Sequence, residues 1–516
     1  MKTSRRNFLA RMGATGAAAS FPWSSSLLCG GRELSEQVSQ ARLAADPLRP
    51  QFHLLPARNW MNDPNGPIYW KGQYHLCFQY NPNAAVWGDM HWAHAMSPDM
   101  IHWKHLPIAL APTPGGYDSD GCFSGSAVDD HGTATFVFTG VKSVPPENAT
   151  LRDGTHNFRE TQCLAVSHDP QLLKWEKLPE PVLLPPHDSK LTGFRDPCLW
   201  RDEKIWYLGI GSGQRGEGGN VLLYRSADLR KWEYLHPLAS GKKNNKSMSD
   251  PVDSGEMWEC PDFFALGKKH VLLYSTERKV YWQTGEYDAK NFVFHAEKHG
   301  LLDSGAFYAP KSQLDAKGRR ILWGWIPETR PEAEFSAAGW AGCMSLPREL
   351  AAGEDGELRM RVIPELQGLR GTEMPLANPA AGAKARRKSL AKLDLAGGAA
   401  EIELRFMPQP FHLDLKSGAN EFLSLGYDPA RSGRELQVGK EFASLPAVDK
   451  GEHQLQIFLD GSVVECMMNG TAAWTFRSYF SPPRSLRLAV PETELDAITS
   501  LRVWPMRPIS ADRLTT

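Results

Sequence analysis

Asp63 in "WMNDPNG" (60–66), Asp196 in "FRDP" (194–197) and Glu259 in "ECPD" (259–262) are carboxylates set among aromatic and turn-forming residues. Such groups suit work on a glycosidic bond. One carboxylate attacks the anomeric carbon or activates water, and one carboxylic acid protonates the leaving oxygen. A positively charged sugar transition state gains from further carboxylates nearby. Met257-Trp258 before Glu259 and Cys260 after it form an apolar wall, which is expected to raise the carboxyl pKa as an acid catalyst requires. Arg195 beside Asp196 is expected to keep that carboxylate ionised, as an acceptor of sugar hydroxyls. Each residue also has a plainer reading: a turn cap for Asp63, an Arg-paired structural charge for Asp196, a surface loop residue for Glu259. The Asn, Pro and Gly around Asp63 are turn formers that fix the backbone.

For these residues to act together, the fold must bring them to one place. Residues 50–345 hold many short apolar runs, such as "QYHLCFQY", "TATFVFTG", "KIWYLGIG" and "RRILWGWI", separated by Gly, Pro, Asn and Asp. That texture reads as an all-β sandwich, barrel or propeller. A repeat decides among them. "SPDMIHWKHL" (97–106), "SHDPQLLKWEKL" (167–178) and "SADLRKWEYL" (226–235) share Ser, Asp and Trp, with a degenerate fourth copy at "YDAKNFVFHAE" (287–297). A second series interleaves with it: "NDPNG" (62–66), "FSGSA" (123–127), "FRDP", "ECPD" and "FYAPKS" (307–312). Five markers, each spanning about four short strands, are the signature of a five-bladed β-propeller. If each marker occupies the same place in its blade, Asp63, Asp196 and Glu259 converge at one end of the central axis.

After "GWAGCMSLPREL" (339–350) the texture changes. "LANPAAGAKARRK" (376–388) reads as a loop or linker. The alternating runs beyond it, with Asp460-Gly461 and Asn469-Gly470 as hairpin turns, read as a β-sandwich. The division is residues 1–45 as an export signal and linker, 46–365 as the propeller and 366–516 as the sandwich. Residues 1–45 contain "SRRNFLARMGATGAAASF", with paired Arg5 and Arg6 ahead of a mild apolar stretch, which resembles a twin-arginine export signal. A periplasmic or extracellular location follows. No later stretch is long and apolar enough to span a membrane.

A chain of 516 residues with net charge −1 is not built to track phosphate or an anionic membrane surface, so nucleic acid is not the expected partner. Its eight cysteines (Cys29, Cys77, Cys122, Cys163, Cys198, Cys260, Cys343 and Cys466) are scattered, which argues against a disulfide framework or a metal cluster. His91 and His94 have metal-ligand spacing but read better as packing residues. "DSDG" (118–121) lacks the later ligands of a calcium loop. "GSGQRGEGGN" (211–220) has no helix after it to cradle phosphate.

The motifs "WMNDPNG", "FSGSAV", "FRDP", "ECPD", "GWAG…SLPREL" and "FLDGSVVECMMNG…FRSY", in this order from about residue 50 onward, resemble glycoside hydrolase family 32, the invertases, inulinases and levanases. The resemblance implies release of terminal fructose from fructans or sucrose through a covalent fructosyl-enzyme. It implies Asp63 as nucleophile, Glu259 as acid/base and Asp196 as transition-state stabiliser. Asn62, Gln79, Trp87, Phe123, Ser124, Arg195 and Trp340 would form the sugar pocket, with no cofactor and no metal. Retention of configuration places the two reacting carboxyl groups about 5–5.5 Å apart. Ala93 and Cys198 depart from the family's usual Gly and Lys. A fructosyltransferase using the same intermediate, and a non-catalytic fructan-binding protein, are the alternatives; oligomeric state and the ranking of levan, inulin and sucrose stay open.

Overall fold

A computed structural model describes residues 38–512, apart from 247, 377–380, 396–397, 418–419, 430–434, 439–440, 445–450 and 480–485. The paired arginines and Cys29 lie outside the described residues. The chain forms a five-bladed β-propeller followed by a β-sandwich.

Each blade begins with its innermost strand, and these five are Asn59–Trp70, Gly121–Asp130, Leu191–Asp202, Glu259–Leu266 and Tyr308–Leu314. Each touches the next in chain order, and the last returns to the first, so they ring a common axis. The ring is closed by Trp340–Ala341, which leaves blade five and pairs in parallel with Asn59 and Trp60 of blade one. Gly342 makes this crossing possible. It has φ of 78°, and a Cβ there would sit 2.1 Å from the Met61 carbonyl oxygen.

The Ser-Asp-Trp repeat is the corner between the third and fourth strands of a blade. In blade one, Asp99 accepts from the Ile101 and His102 amides, Met100 takes φ of 67°, and Trp103 Nε1 donates to the Met100 carbonyl at 3.1 Å. Asp169, Leu172 and Trp175 do the same in blade two, with a Trp175–Leu172 bond of 2.9 Å. Asp228, Leu229 and Trp232 do so in blade three at 3.1 Å. The degenerate fourth copy keeps Asp288 and a left-handed Phe292 but lacks the Trp. These side chains secure a turn, and the Trp series belongs to the scaffold.

Two stretches differ from their sequence expectation. Gln40–Ala45, within the piece set aside as signal and linker, is a helix capped by the Ser39 hydroxyl. It buries Leu43 in a cluster with Ile326 and Trp340, and so forms part of the propeller's closure. Within the expected linker, Ala383–Leu390 is also helical. Its Ala, Lys and Arg are good helix formers, and Arg387 pairs with Glu492 at 2.8 Å.

The C-terminal unit stacks two five-stranded sheets around an apolar core that includes Ile402, Leu404, Leu413, Leu425, Ile457 and Trp474. Both expected hairpin turns are present, with Gly461, Asn469 and Gly470 at positive φ. A buried ionic network ties this unit to the propeller. Arg348 donates to Asp303 at 2.9 Å and to Glu465 at 2.6 Å, and Glu465 also meets His53 at 3.0 Å. Breaking such a buried pair on one side costs about 3–5 kcal/mol, because the partner charge is left uncompensated.

Candidate active site

Every innermost strand slips its register at one level of the ring: between Met61 and Pro64, Phe123 and Gly125, Arg195 and Cys198, Glu259 and Asp262, and Tyr308 and Lys311. A bulge re-aims the side chains beside it. In blades three, four and five the first bulged residue is left-handed: Asp196 at 61°, Cys260 at 48° and Ala309 at 51°. Proline follows each of them, at Pro197, Pro261 and Pro310. This refines the expected matching of the blades. Glu259 stands where blade three has Arg195 and blade five has Tyr308, while the counterpart of Asp196 in blade four is Cys260. The offset of one residue still delivers all three carboxylates to the same level, because adjacent side chains at a bulge both turn toward the axis.

Asp63 is held on both oxygens. Asn62 Nδ2 donates to its Oδ1 at 3.0 Å, and Ser124 Oγ donates to its Oδ2 at 2.6 Å. Gln79 joins the two supports, accepting from Asn62 at 2.6 Å and donating to Ser124 at 2.9 Å. Trp60 Nε1 donates to Asn62 Oδ1 at 2.8 Å and so orients the amide. The Cys260 thiol reaches Asp63 Oδ2 at 3.4 Å and Asp196 Oδ2 at 3.5 Å, while the Cys260 amide donates to Asp196 Oδ2 at 3.0 Å. Burial, with Asp196 and Asp63 adding to it, holds the thiol pKa well above its ordinary value, so Cys260 stays protonated and can donate.

Glu259 is not enclosed by an apolar wall. Trp258 turns away and stacks on Tyr274 at 3.7 Å. Arg195 donates to Glu259 Oε1 from Nε at 3.1 Å and Nη2 at 2.9 Å, and Tyr308 donates to Oε2 at 2.8 Å. The expected Arg195–Asp196 ion pair is present but is the longer one, at 3.9 Å, while Arg195 gives its direct hydrogen bonds to Glu259 and, at 2.9 Å, to Glu160. Burial lowers the Arg195 pKa, but Glu160, Glu259 and Asp196 outweigh it and hold the guanidinium well above its ordinary value.

Above the carboxylates lies a cavity of about 570 Å³, open to solvent and lined by Trp60, Asn62, Asp63, Trp87, Glu259, Tyr308 and Trp325, with Asp250, Val252, Asp253 and Arg278 also on its wall. Of the expected sugar-pocket residues, Asn62 and Trp87 face it. Gln79, Ser124 and Arg195 are buried supports behind the carboxylates, and Phe123 backs Trp87 edge-on at 6.0 Å. Trp340 is elsewhere. It is fully buried in the ring closure, donates to Asp46 at 2.7 Å and lies between Arg49 and Arg330. The blade-five Trp that lines the cavity is Trp325, in its second strand; the strand run "RRILWGWI" reads only as core. Tyr308 and Glu160 escape the sequence reading, although Tyr308 lies inside the marker series, and Cys260, expected only as apolar wall, is a donor to Asp63 and Asp196.

His91 and His94 do not form a pair. His91 meets the Asp89 carbonyl at 2.6 Å, whereas His94 is buried against His75 at 2.9 Å. Among the described residues no helix is long and apolar enough to cross a membrane.

Clamped carboxylates in a Trp-lined cavity on a propeller axis, with a trailing sandwich, define a glycoside hydrolase. Residues 53–361 match the N-terminal domain of glycosyl hydrolases family 32, and residues 365–505 match that family's C-terminal domain. The chain belongs to this family. It is 36% identical over 464 residues to sucrose-6-phosphate hydrolase of Escherichia coli, covering 84% of this chain and 90% of that protein. A family 32 β-fructofuranosidase of Bombyx mori superposes with a TM-score of 0.73 at 29% identity, covering 90% of this chain and 95% of that one. Fructan 1-exohydrolase IIa of Cichorium intybus does so with a TM-score of 0.72 at 27% identity, covering 90% of this chain and 98% of that one.

Proposed function

We propose that this enzyme is an exported β-fructosidase that releases terminal fructose from sucrose and from fructans with retention of configuration. The observation that carries this reading is the cavity itself. Asp63 and Glu259 share its wall with two indoles, Trp87 and Trp325, whose buried Nε1–H groups have no partner among the described residues. A buried donor without a partner is costly, and a sugar hydroxyl would satisfy it.

In this reading Asp63 attacks the fructosyl anomeric carbon as the bond to the leaving oxygen breaks. Glu259 gives that oxygen a proton, then takes one from the water that releases fructose from Asp63. Once Glu259 has lost its proton, Arg195 and Tyr308 are in place to hold the resulting charge. Asp196 supplies negative charge and acceptor oxygens to the positively charged sugar ring.

The cavity favours a neutral sugar over a sugar phosphate. Asp63, Asp250, Asp253 and Glu259 line it, and the one cation among its described lining residues, Arg278, is bound by Asp253 through two bonds of 3.1 and 3.0 Å. Such a wall repels a phosphate dianion. Export rests on Arg5, Arg6 and the apolar stretch after them. The test is fructose release from sucrose, sucrose 6-phosphate, inulin and levan by the intact enzyme. Faster turnover of the phosphorylated sugar would overturn the substrate reading. Undiminished turnover by Asp63→Asn would overturn the mechanism.

A further inference from the structure

The axis has a second mouth. Beyond the bulges, the innermost strands line a chamber of about 1710 Å³, open to solvent, which shares no lining residue with the cavity above. Its roof is Lys311, a buried ammonium that donates to the carbonyls of Asp196 at 3.4 Å, Pro197 at 3.2 Å and Pro261 at 2.8 Å. The two spaces are therefore separated by a plug, and the lower one plays no part in the hydrolytic scheme.

The lower chamber carries an unusual set of unmet polar atoms. Ser312 Oγ, both amide atoms of Gln313, Tyr287 OH and Arg320 Nε are buried without a hydrogen-bond partner among the described residues, and all four residues line the chamber. Native proteins leave few such atoms, because each costs free energy unless a ligand or water meets it. The set combines donors and acceptors: two hydroxyls, the amide of Gln313, which is 5% exposed, and one guanidinium N–H. Charge is balanced, with Lys311, Arg201 and Arg320 facing Asp129, Asp202 and Asp262, so an anion has no advantage there. Trp200 reaches the same wall with a half-buried ring that otherwise packs on Tyr207 at 5.6 Å and Phe263 at 4.9 Å. Aromatic surface beside mixed donors and acceptors matches the two sides of a sugar: apolar C–H faces and hydroxyl edges.

We infer that the lower mouth is a second, non-hydrolytic binding site for a neutral saccharide, with Gln313 and Trp200 as its main contacts. A site at the far end of the axis would hold another part of a long substrate, or a second chain of it, without blocking the catalytic mouth. The choice of a fructoside as the ligand rests on the function proposed above.

The experiment uses the full-length Asp63→Asn enzyme, which binds without turnover, and titrates it calorimetrically with a short inulin-type oligosaccharide. Two binding events are expected, and Gln313→Leu or Trp200→Leu in that background should remove one of them. Wild-type enzyme carrying Gln313→Leu should hydrolyse sucrose at an unchanged rate. Its melting temperature should stay level or rise, because two unpartnered buried atoms are removed. A single binding event that Gln313→Leu leaves intact would overturn the inference, with water as the chamber's only occupant. Absence of sucrose hydrolysis by wild type would instead strike the proposed function, so the two failures are distinguishable.

Discussion

The outer corners and the inner bulges of the propeller obey opposite rules. The corners repeat one solution: an Asp that accepts from backbone amides, a left-handed apolar residue, and in three blades a Trp bonded to that residue's carbonyl. The bulges repeat a backbone but vary the residues: Asn62-Asp63, Ser124, Asp196, Cys260 and Ala309, preceded in the last three blades by Arg195, Glu259 and Tyr308. Every corner does the same job, turning a chain at the rim, so one set of side chains serves again and again. The bulges meet at one axis, where each must supply a different group to a shared cavity. Left-handed Asp196, Cys260 and Ala309 cost of order 1–3 kcal/mol each, and the surrounding blades must hold them. Repetition marks the scaffold, and divergence at a repeated place marks the site.

The largest effect should come from the bulge that carries the proposed attacking group. Asp63→Asn preserves shape and most of the clamp from Asn62 and Ser124 while removing the proposed nucleophile. Sucrose turnover should fall by roughly 10⁴-fold or more, with little change in melting temperature. A large fall in stability alongside would mean that Asp63 serves the fold as the corner aspartates do.

That contrast bears on what the sequence can disclose. Both series of repeats are legible as spacing, so the five blades and the three carboxylates follow from residue order alone. The register at the bulges does not. A bulge adds a residue to one strand only, which is why Glu259 aligns with Arg195 and Tyr308 and not with Asp196. Arg195, next to Asp196 in the chain, gives its direct hydrogen bonds to Glu259 and Glu160. Trp325 and Trp340 both stand in blade five's apolar sequence, and only the path of the ring closure decides which one faces the cavity. The helix Ala383–Leu390 is masked by the Gly, Pro and Asn just before it.

A second prediction concerns the layer between bulge and corner. His75 and His94 are buried against one another in blade one, with pKa values lowered by burial to about 4 and about 3. Both lie below the ordinary value of 6.5, so the unfolded chain takes up protons first as pH falls. Their contribution is whole above about pH 6.5 and drains as pH drops toward 4. Two pH units of such uptake cost about 2–3 kcal/mol per histidine. Denaturant titrations at pH 7 and 4.5 should show the loss, and His75→Gln should reduce it. An unchanged pH dependence in that variant would assign acid lability to the buried carboxylates alone.

Tyr308→Phe should act at the bulge level with a smaller effect. It removes the hydroxyl that donates to Glu259 Oε2 and leaves the ring packed in place. A hydrogen bond to a charged group is worth about 1.5–3 kcal/mol, so kcat should drop about 10–100-fold while the melting temperature holds. A shift in the pH–rate profile should accompany the drop, since Tyr308 touches Glu259, the proposed acid/base.

The smallest effect belongs to the corners and separates the two regions most cleanly. Asp228 accepts from the Arg230 and Lys231 amides at 2.9 Å each and from the Ser226 hydroxyl at 3.1 Å, all on the rim of blade three. Asp228→Ala leaves Leu229 at positive φ without the acceptor that holds its turn, although Trp232 still bonds the Leu229 carbonyl. The cost should be about 1 kcal/mol, as for loss of a capping side chain, read as a lower denaturation midpoint at pH 7. Activity per folded molecule should equal wild type, because no bulge residue touches this corner. If kcat instead fell as far as in Tyr308→Phe, the corner would be coupled to the axis, and repetition would no longer separate scaffold from site.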